Sequence, residues 1–177
     1  RLLAPCEAAR GMGLIVWPEN AVSGTFSVEE ALAKMGDVPT PLLFGMTRYV
    51  AAGSPALRNS AILINEDGVQ VSDKVHLALI MEAGLPFGPA SDLQRGERRV
   101  LTLNGSTRIL PLICYEITFP IAASDLQDRP DVIINIAAQT GFITWMAEAI
   151  AQRHARAREL ETGIRVVRVS DVATRDW

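Results

Sequence analysis

The stretch PLICYE, from Pro111 to Glu116, decides how this chain is read. It continues an apolar run, is too short to argue for a helix, and sets a thiol and a carboxylate two residues apart. Two earlier segments have the same form: LIVWPEN (14–20) leads to Glu19 and VSDKVHL (71–77) carries Lys74. A carboxylate, an ammonium and a thiol brought together make an acyl-transfer apparatus of base, electrostatic stabiliser and nucleophile. If Glu19, Lys74 and Cys114 converge, the chain is an enzyme; otherwise it is an ordinary domain.

Working outward, strand and helix patterns alternate, which predicts an α/β fold with mixed sheets. Residues 3–10 read as the end of a helix stopped by Gly11 and Gly13. Leu14–Trp17 is wholly apolar and reads as a strand buried on both faces. Ser27-Val28-Glu29-Glu30 is a capping box opening a helix through Lys34. Leu42–Tyr49 reads as a strand. Asn59–Ile64 and Val69–Lys74 alternate around Glu66-Asp67-Gly68 and predict a hairpin. A second hairpin, Val100–Leu103 with Thr107–Leu110, turns at Asn104-Gly105. Ile113–Tyr115 continues as a buried strand, Pro120–Gln127 as a helix, Val132–Ala137 as an apolar strand. Trp145–Glu161 has helical period, with Arg153, Arg156 and Arg158 on a solvated face, and Arg165–Val169 closes as a strand. The connection 76–98 is long for a compact domain, and such loops are usually functional.

Composition narrows the class. The 177 residues suit one domain over 1–177, and 49% hydrophobic with 21% charged residues is globular. A net charge of −3 shows no footprint for nucleic acid. Fifteen arginines accompany only two lysines, Lys34 and Lys74, which makes Lys74 conspicuous. The two cysteines, Cys6 and Cys114, make no disulfide framework. No metal-binding spacing occurs around His76 or His154, and no cofactor is implied. No apolar stretch reaches the roughly 18 residues of a membrane span. The chain opens mid-element without an initiator Met and reads as a piece of a longer protein.

Taken singly, the reactive residues have ordinary readings. Cys114 suits a small buried hydrophobe, Glu19 a solvated turn residue, and Lys74 an exposed edge charge. Glu116 says more, because a carboxylate inside an apolar run needs a partner. In the catalytic reading Glu19 takes the proton from Cys114. Lys74 then holds the oxyanion, with a backbone N–H just after the nucleophile. Glu116 or Glu82 orients the lysine or carries the proton to the leaving group.

In order and spacing the three segments resemble the nitrilase (carbon-nitrogen hydrolase) superfamily, and within it the apolipoprotein N-acyltransferase branch. Trp17-Pro18-Glu19 matches the WPE motif of that branch. Lys74, His76, Leu77 and Glu82 match its lysine motif, and Cys114-Tyr115-Glu116 its nucleophile motif, so Tyr115 joins Glu82 and Glu116 as supporting residues. ARARELETGIRVVR (155–168) resembles the helix and strand that follow. The resemblance covers nearly the whole chain. It implies a nitrilase-like α-β-β-α sandwich, incomplete at both ends of this chain, and a Glu19–Lys74–Cys114 triad. It also implies a phospholipid acyl donor and an amine (lipoprotein) acceptor. The implied location is the bacterial inner membrane, with this domain facing the periplasm and membrane attachment through segments not in this chain.

Two loops depart from the branch. Ala78-Leu79-Ile80-Met81 stands where Val-Pro-Phe-Gly is usual, and only Phe142 remains of a Ser-Asn-Asp-Ala-Trp-Phe-Gly loop after Asn135. These five positions read as a substrate-facing loop with an altered acceptor or donor preference. Conjugal-transfer proteins of the TraB type resemble the same branch. A soluble amide or nitrile hydrolase with this triad, and a non-catalytic assembly component, are the other readings the residues allow.

Overall fold

The structure, a computed structural model, describes residues 12–22, 24–38, 40–51, 54–78, 92–138 and 144–171. Two four-stranded sheets pack face to face. The first has the order β1 (Ile15–Val16), β2 (Leu42–Tyr49), β3 (Leu57–Asn65), β4 (Gly68–Asp73). The second has the order β5 (Leu101–Leu103), β6 (Thr107–Ile113), β7 (Val132–Ala137), β8 (Arg165–Ser170). Both sheets are mixed. β1 runs parallel to β2, β2–β3–β4 is an antiparallel meander, β5–β6 is a hairpin, and β6, β7 and β8 are parallel.

Side-chain alternation along the strands sorts the apolar residues into three cores. Leu43, Ala61 and Leu63 of the first sheet meet Leu101, Ile109, Ile113, Ile134 and Ile136 of the second, filling the space between sheets. On the outer face of the first sheet, Leu42, Phe44, Met46 and Ile62 pack against Ala31 and Met35 of helix α1 (Val28–Met35). On the outer face of the second, Leu110, Leu112 and Ile133 pack with Ala151 of helix α2 (Thr144–Thr162). The layers are therefore α-β-β-α. Helix α1 starts at the expected capping box: Ser27 Oγ accepts from the Glu30 N–H at 3.2 Å and Glu30 Oε2 from the Ser27 N–H at 2.9 Å.

Several expectations need correction. The first strand is only Ile15–Val16 and is half-buried, because its outer edge has no further strand among the described residues. The strand expected through Ile113–Tyr115 stops at Ile113. A 3-10 turn, Cys114–Thr118, follows and turns Tyr115 outward to 46% exposure. The helix expected over Pro120–Gln127 is one 3-10 turn, Ala123–Leu126. Arg153 and Arg156 are exposed as expected, whereas Arg158 is folded in, its side chain 11% exposed and paired with Glu161. The helix expected over 3–10 and most of the 76–98 connection lie outside the described residues.

Candidate active site

Strand direction sets the geometry. β1, β4 and β6 each end where a reactive residue follows, so Glu19, Lys74 and Cys114 all lie just beyond strand carboxyl ends, a common place for sites in α/β folds. Glu19 sits on a turn tied to β2 by three backbone bonds: Trp17 N–H to Leu43 O, Gly45 N–H to Pro18 O and Ala21 N–H to Gly45 O. The approach is close enough that β2 carries glycine there. A Cβ on Gly45 would lie 2.7 Å from the Glu19 Cα and 3.0 Å from Ile136 Cδ1.

The Glu19 carboxylate is buried and every partner is identifiable. Oε1 accepts from Asn59 Nδ2 at 2.7 Å and from Lys74 Nζ at 3.3 Å; Oε2 accepts from the Ala138 N–H at 2.9 Å. Lys74 is 1% exposed, which rules out the edge-charge reading. Burying an ammonium is costly without a counter-charge, and Glu19 supplies one.

The backbone of Lys74 is held as firmly as its side chain. Its N–H donates to Asn59 O at 2.8 Å and its carbonyl accepts from the Gly96 N–H at 3.0 Å. Just before it, Asp73 takes Arg48 at 2.8 Å, Arg58 at 2.9 Å and Ser60 Oγ at 2.6 Å. Burial pushes the Asp73 carboxyl up. The Ser60 hydrogen bond, with the hydrogen bond and charge of Arg48 and the charge of Arg58, outweighs that and holds it below the usual aspartate value.

Cys114 opens the 3-10 turn with φ of 52°, a left-handed conformation unusual for a side-chain-bearing residue. Such strain has to be fixed by the surroundings. Asn135 Nδ2 donates to the Cys114 carbonyl at 3.2 Å and to Leu112 O at 3.0 Å. Two residues on, Glu116 is 2% exposed and gathers four donors. Its Oε1 accepts from the Val75 N–H at 2.8 Å, the His76 N–H at 3.0 Å and Arg98 Nη2 at 2.6 Å; its Oε2 accepts from the Ile113 N–H at 2.9 Å. Glu116 thus ties the residue before Cys114 to the two residues after Lys74. Three of its four donors are backbone N–H groups and the fourth is the Arg98 guanidinium.

The three segments are therefore joined pairwise. Glu19 meets Lys74 directly, Glu116 bridges the Lys74 and Cys114 segments, and β7 holds Cys114 through Asn135 while Ala138 meets Glu19. Cys114 is half-buried. Beside it Tyr115 meets Phe119 edge-on at 5.2 Å, and Phe119 stacks on His76 at 4.4 Å, so an aromatic wall borders the Cys114 turn. Among the described residues no three His, Cys, Asp or Glu side chains cluster as metal ligands.

Of the remaining expected residues, Ala78 is half-buried past the Lys74 segment. Glu82, Leu79, Ile80, Met81 and Phe142 lie outside the described residues. The sequence reading did not single out Asn59, Asn135, Arg98 or Arg168. Asn135, between Ile134 and Ile136, carries the signal used for Glu116: a polar side chain inside an apolar strand needs a partner; Asn59, between Arg58 and Ser60, does not.

This arrangement, a two-sheet sandwich with a carboxylate, an ammonium and a thiol beyond strand ends, defines a nitrilase-type domain. A model of the carbon-nitrogen hydrolase family matches residues 5–176, and the chain belongs to that family. An apolipoprotein N-acyltransferase from Rhizobium leguminosarum bv. trifolii is 31% identical over 188 residues, covering 93% of this chain and 35% of that protein. One from Bradyrhizobium diazoefficiens is 30% identical over 189 residues, covering 90% and 34%. The chain thus spans about a third of the length of these relatives. A carbon-nitrogen hydrolase from Helicobacter pylori G27 shares the fold, with TM-score 0.67 at 14% identity over 98% of this chain and 65% of that one. A nitrilase-superfamily amidase from Nesterenkonia AN1 gives TM-score 0.67 at 20% identity, covering 96% and 69%. The family and the relatives named acyltransferases support an enzyme.

Proposed function

We propose that the chain performs thiol-dependent acyl transfer, with Cys114 as nucleophile, Glu19 as base and Lys74 as oxyanion stabiliser. The observation that carries this reading is the buried Glu19–Lys74 pair, tied to the strained Cys114 turn through Glu116 and to the end of β7, whose Asn135 holds the Cys114 carbonyl, through Ala138. A thiol at neutral pH is only a few per cent ionised, so the carboxylate's proton acceptance generates the attacking thiolate. Sγ forms a bond to the acyl carbon while the carbonyl π pair moves onto oxygen. Lys74 faces that charge in a site where low dielectric strengthens it. Collapse breaks the carbon–oxygen ester bond, and the departing alcohol takes the proton from Glu19. An amine then attacks the thioester, gives its proton to Glu19, and returns Cys114 to its thiolate.

The donor we infer is a phospholipid ester and the acceptor a lipoprotein amine, which the roughly 30% identity to apolipoprotein N-acyltransferases supports. On that resemblance the reaction belongs at the bacterial inner membrane, with this domain on the periplasmic side. On the same resemblance, membrane attachment would fall to segments outside this chain; among the described residues no helix is long and apolar enough to cross a membrane.

Incubation with phospholipid vesicles, followed by peptide mapping, tests the reading. The expected result is an acyl mass on the Cys114 peptide that hydroxylamine removes. No adduct on Cys114, with small amides turned over in lipid-free buffer, would replace acyl transfer to amines by hydrolysis through water. Neither adduct nor turnover would leave the assembly-component reading.

A further inference from the structure

Cys114 and Tyr115 share one peptide unit, and in a trans peptide the carbonyl and the N–H point in opposite directions. Whatever holds the Cys114 carbonyl therefore aims the Tyr115 N–H. The carbonyl is held by Asn135, which is 0% exposed in β7, an inner strand of the second sheet. In register, Asn135 lies between Leu112 of β6 and Arg168 of β8. Leu112 and Ile133 belong to the core beneath α2, so Asn135, two residues beyond Ile133 on the strand, faces that helix as well.

A side-chain amide offers donors at one end and an acceptor at the other, and a flip would turn its oxygen toward two carbonyls. Arg168 prevents the flip: its Nη1 donates to Asn135 Oδ1, leaving Nδ2 for Leu112 O and Cys114 O. Arg168 is in turn seated by Glu148 of α2, with Nε and Nη2 each 3.1 Å from its carboxylate oxygens. Burial raises the Glu148 carboxyl, but the hydrogen bond and charge of Arg168 outweigh it and hold the group below the usual range.

We propose that Asn135, fixed by Arg168 and Glu148, is a positioning residue that aims the Tyr115 N–H at the oxyanion formed during attack by Cys114. The carbonyl is drawn toward the α2 side of the sheet, so the N–H is directed toward the first sheet, where Glu19 and Lys74 lie. The inference rests on the acyl-transfer reading, and it adds residues that touch neither substrate nor thiol.

Acylation needs the oxyanion donor, whereas alkylation of a thiol by iodoacetamide develops no oxyanion. Both are measured on the same chain: the p-nitrophenolate burst from p-nitrophenyl acetate, and iodoacetamide labelling of the Cys114 peptide. Asn135→Leu should slow the burst about 10- to 100-fold, less than the roughly 100- to 1000-fold of removing an oxyanion donor outright, because the N–H is misaimed and not lost. Cys114 alkylation should stay within about twofold of wild type. Arg168→Leu should slow the burst by about fivefold, with Arg168→Lys recovering most of it. If Asn135→Leu does not fold, the Arg168 pair decides by the same comparison. A burst unchanged in the variants, or burst and alkylation falling together, overturns the positioning role alone. A wild-type chain with no burst overturns the acyl-transfer reading, and this inference with it.

Discussion

Glu116→Gln is the sharpest test of how the site is assembled. The change keeps size and shape but replaces one carboxylate oxygen by an NH₂ group. Oε1 serves three donors and Oε2 one, so the amide oxygen is best kept at Oε1. The NH₂ then faces the Ile113 N–H, donor against donor, which costs about 1–3 kcal/mol. The negative charge opposite Arg98 is lost as well, where the two side chains are 6% and 1% exposed. Arg98 keeps Asp125 at 2.6 Å, so the guanidinium is not stranded. Together the change should cost roughly 3–5 kcal/mol, the range for removing one member of a buried pair. In a domain of this size that lowers Tm by roughly 6–20 °C. Urea and thermal unfolding of Glu116→Gln, Arg98→Met and the double variant measure both the loss and the coupling. Stability within about 1 kcal/mol of wild type, or purely additive single effects, would refute the claim that Glu116 clamps the two segments.

Further outcomes follow from the same contacts. Gly45→Ala pushes a methyl against the Glu19 backbone, so it should cost about 1–3 kcal/mol and depress acylation more than unfolding accounts for; burst rates on the folded fraction check this. Gly96→Ala meets the Asp73 side chain at 2.1 Å from Cβ to Cβ and should displace the strand end that carries Lys74, seen as lost burst rate with the remaining core intact. The Asp73 carboxyl is held below its ordinary value, so its contribution is fully present above the unfolded pKa of about 3.9 and is lost as pH falls through the folded value. Urea midpoints from about pH 7 to pH 3 should fall more steeply for wild type than for Asp73→Asn.

Regular elements were the most legible part of the sequence. Leu42–Tyr49 and Val132–Ala137 coincide with their strands because each is a run of apolar and β-branched residues with turn chemistry on both sides. The capping box located α1 for the same local reason. Failures came where tertiary contacts override pattern. Nothing in ICYEI announces that the strand stops at Ile113, because the turn depends on Asn135 and Glu116 holding Cys114 and its neighbours. Lys74 looks like any hairpin-end lysine until Glu19, 55 residues away in sequence, is folded against it. Glu116 was readable as a residue needing partners, but four donors from three separate segments could only be seen in the fold.

The most direct measurement is the pre-steady-state burst with p-nitrophenyl acetate in four variants: Cys114→Ala, Glu19→Gln, Lys74→Met and the Glu19→Gln/Lys74→Met double. Groups acting as one catalytic unit are not additive. Cys114→Ala should abolish the burst, Glu19→Gln and Lys74→Met should each slow it by orders of magnitude to a residual rate, and the double should be no slower than the worse single. A burst that persists in Cys114→Ala, or losses from Glu19 and Lys74 that simply multiply, would contradict a shared site.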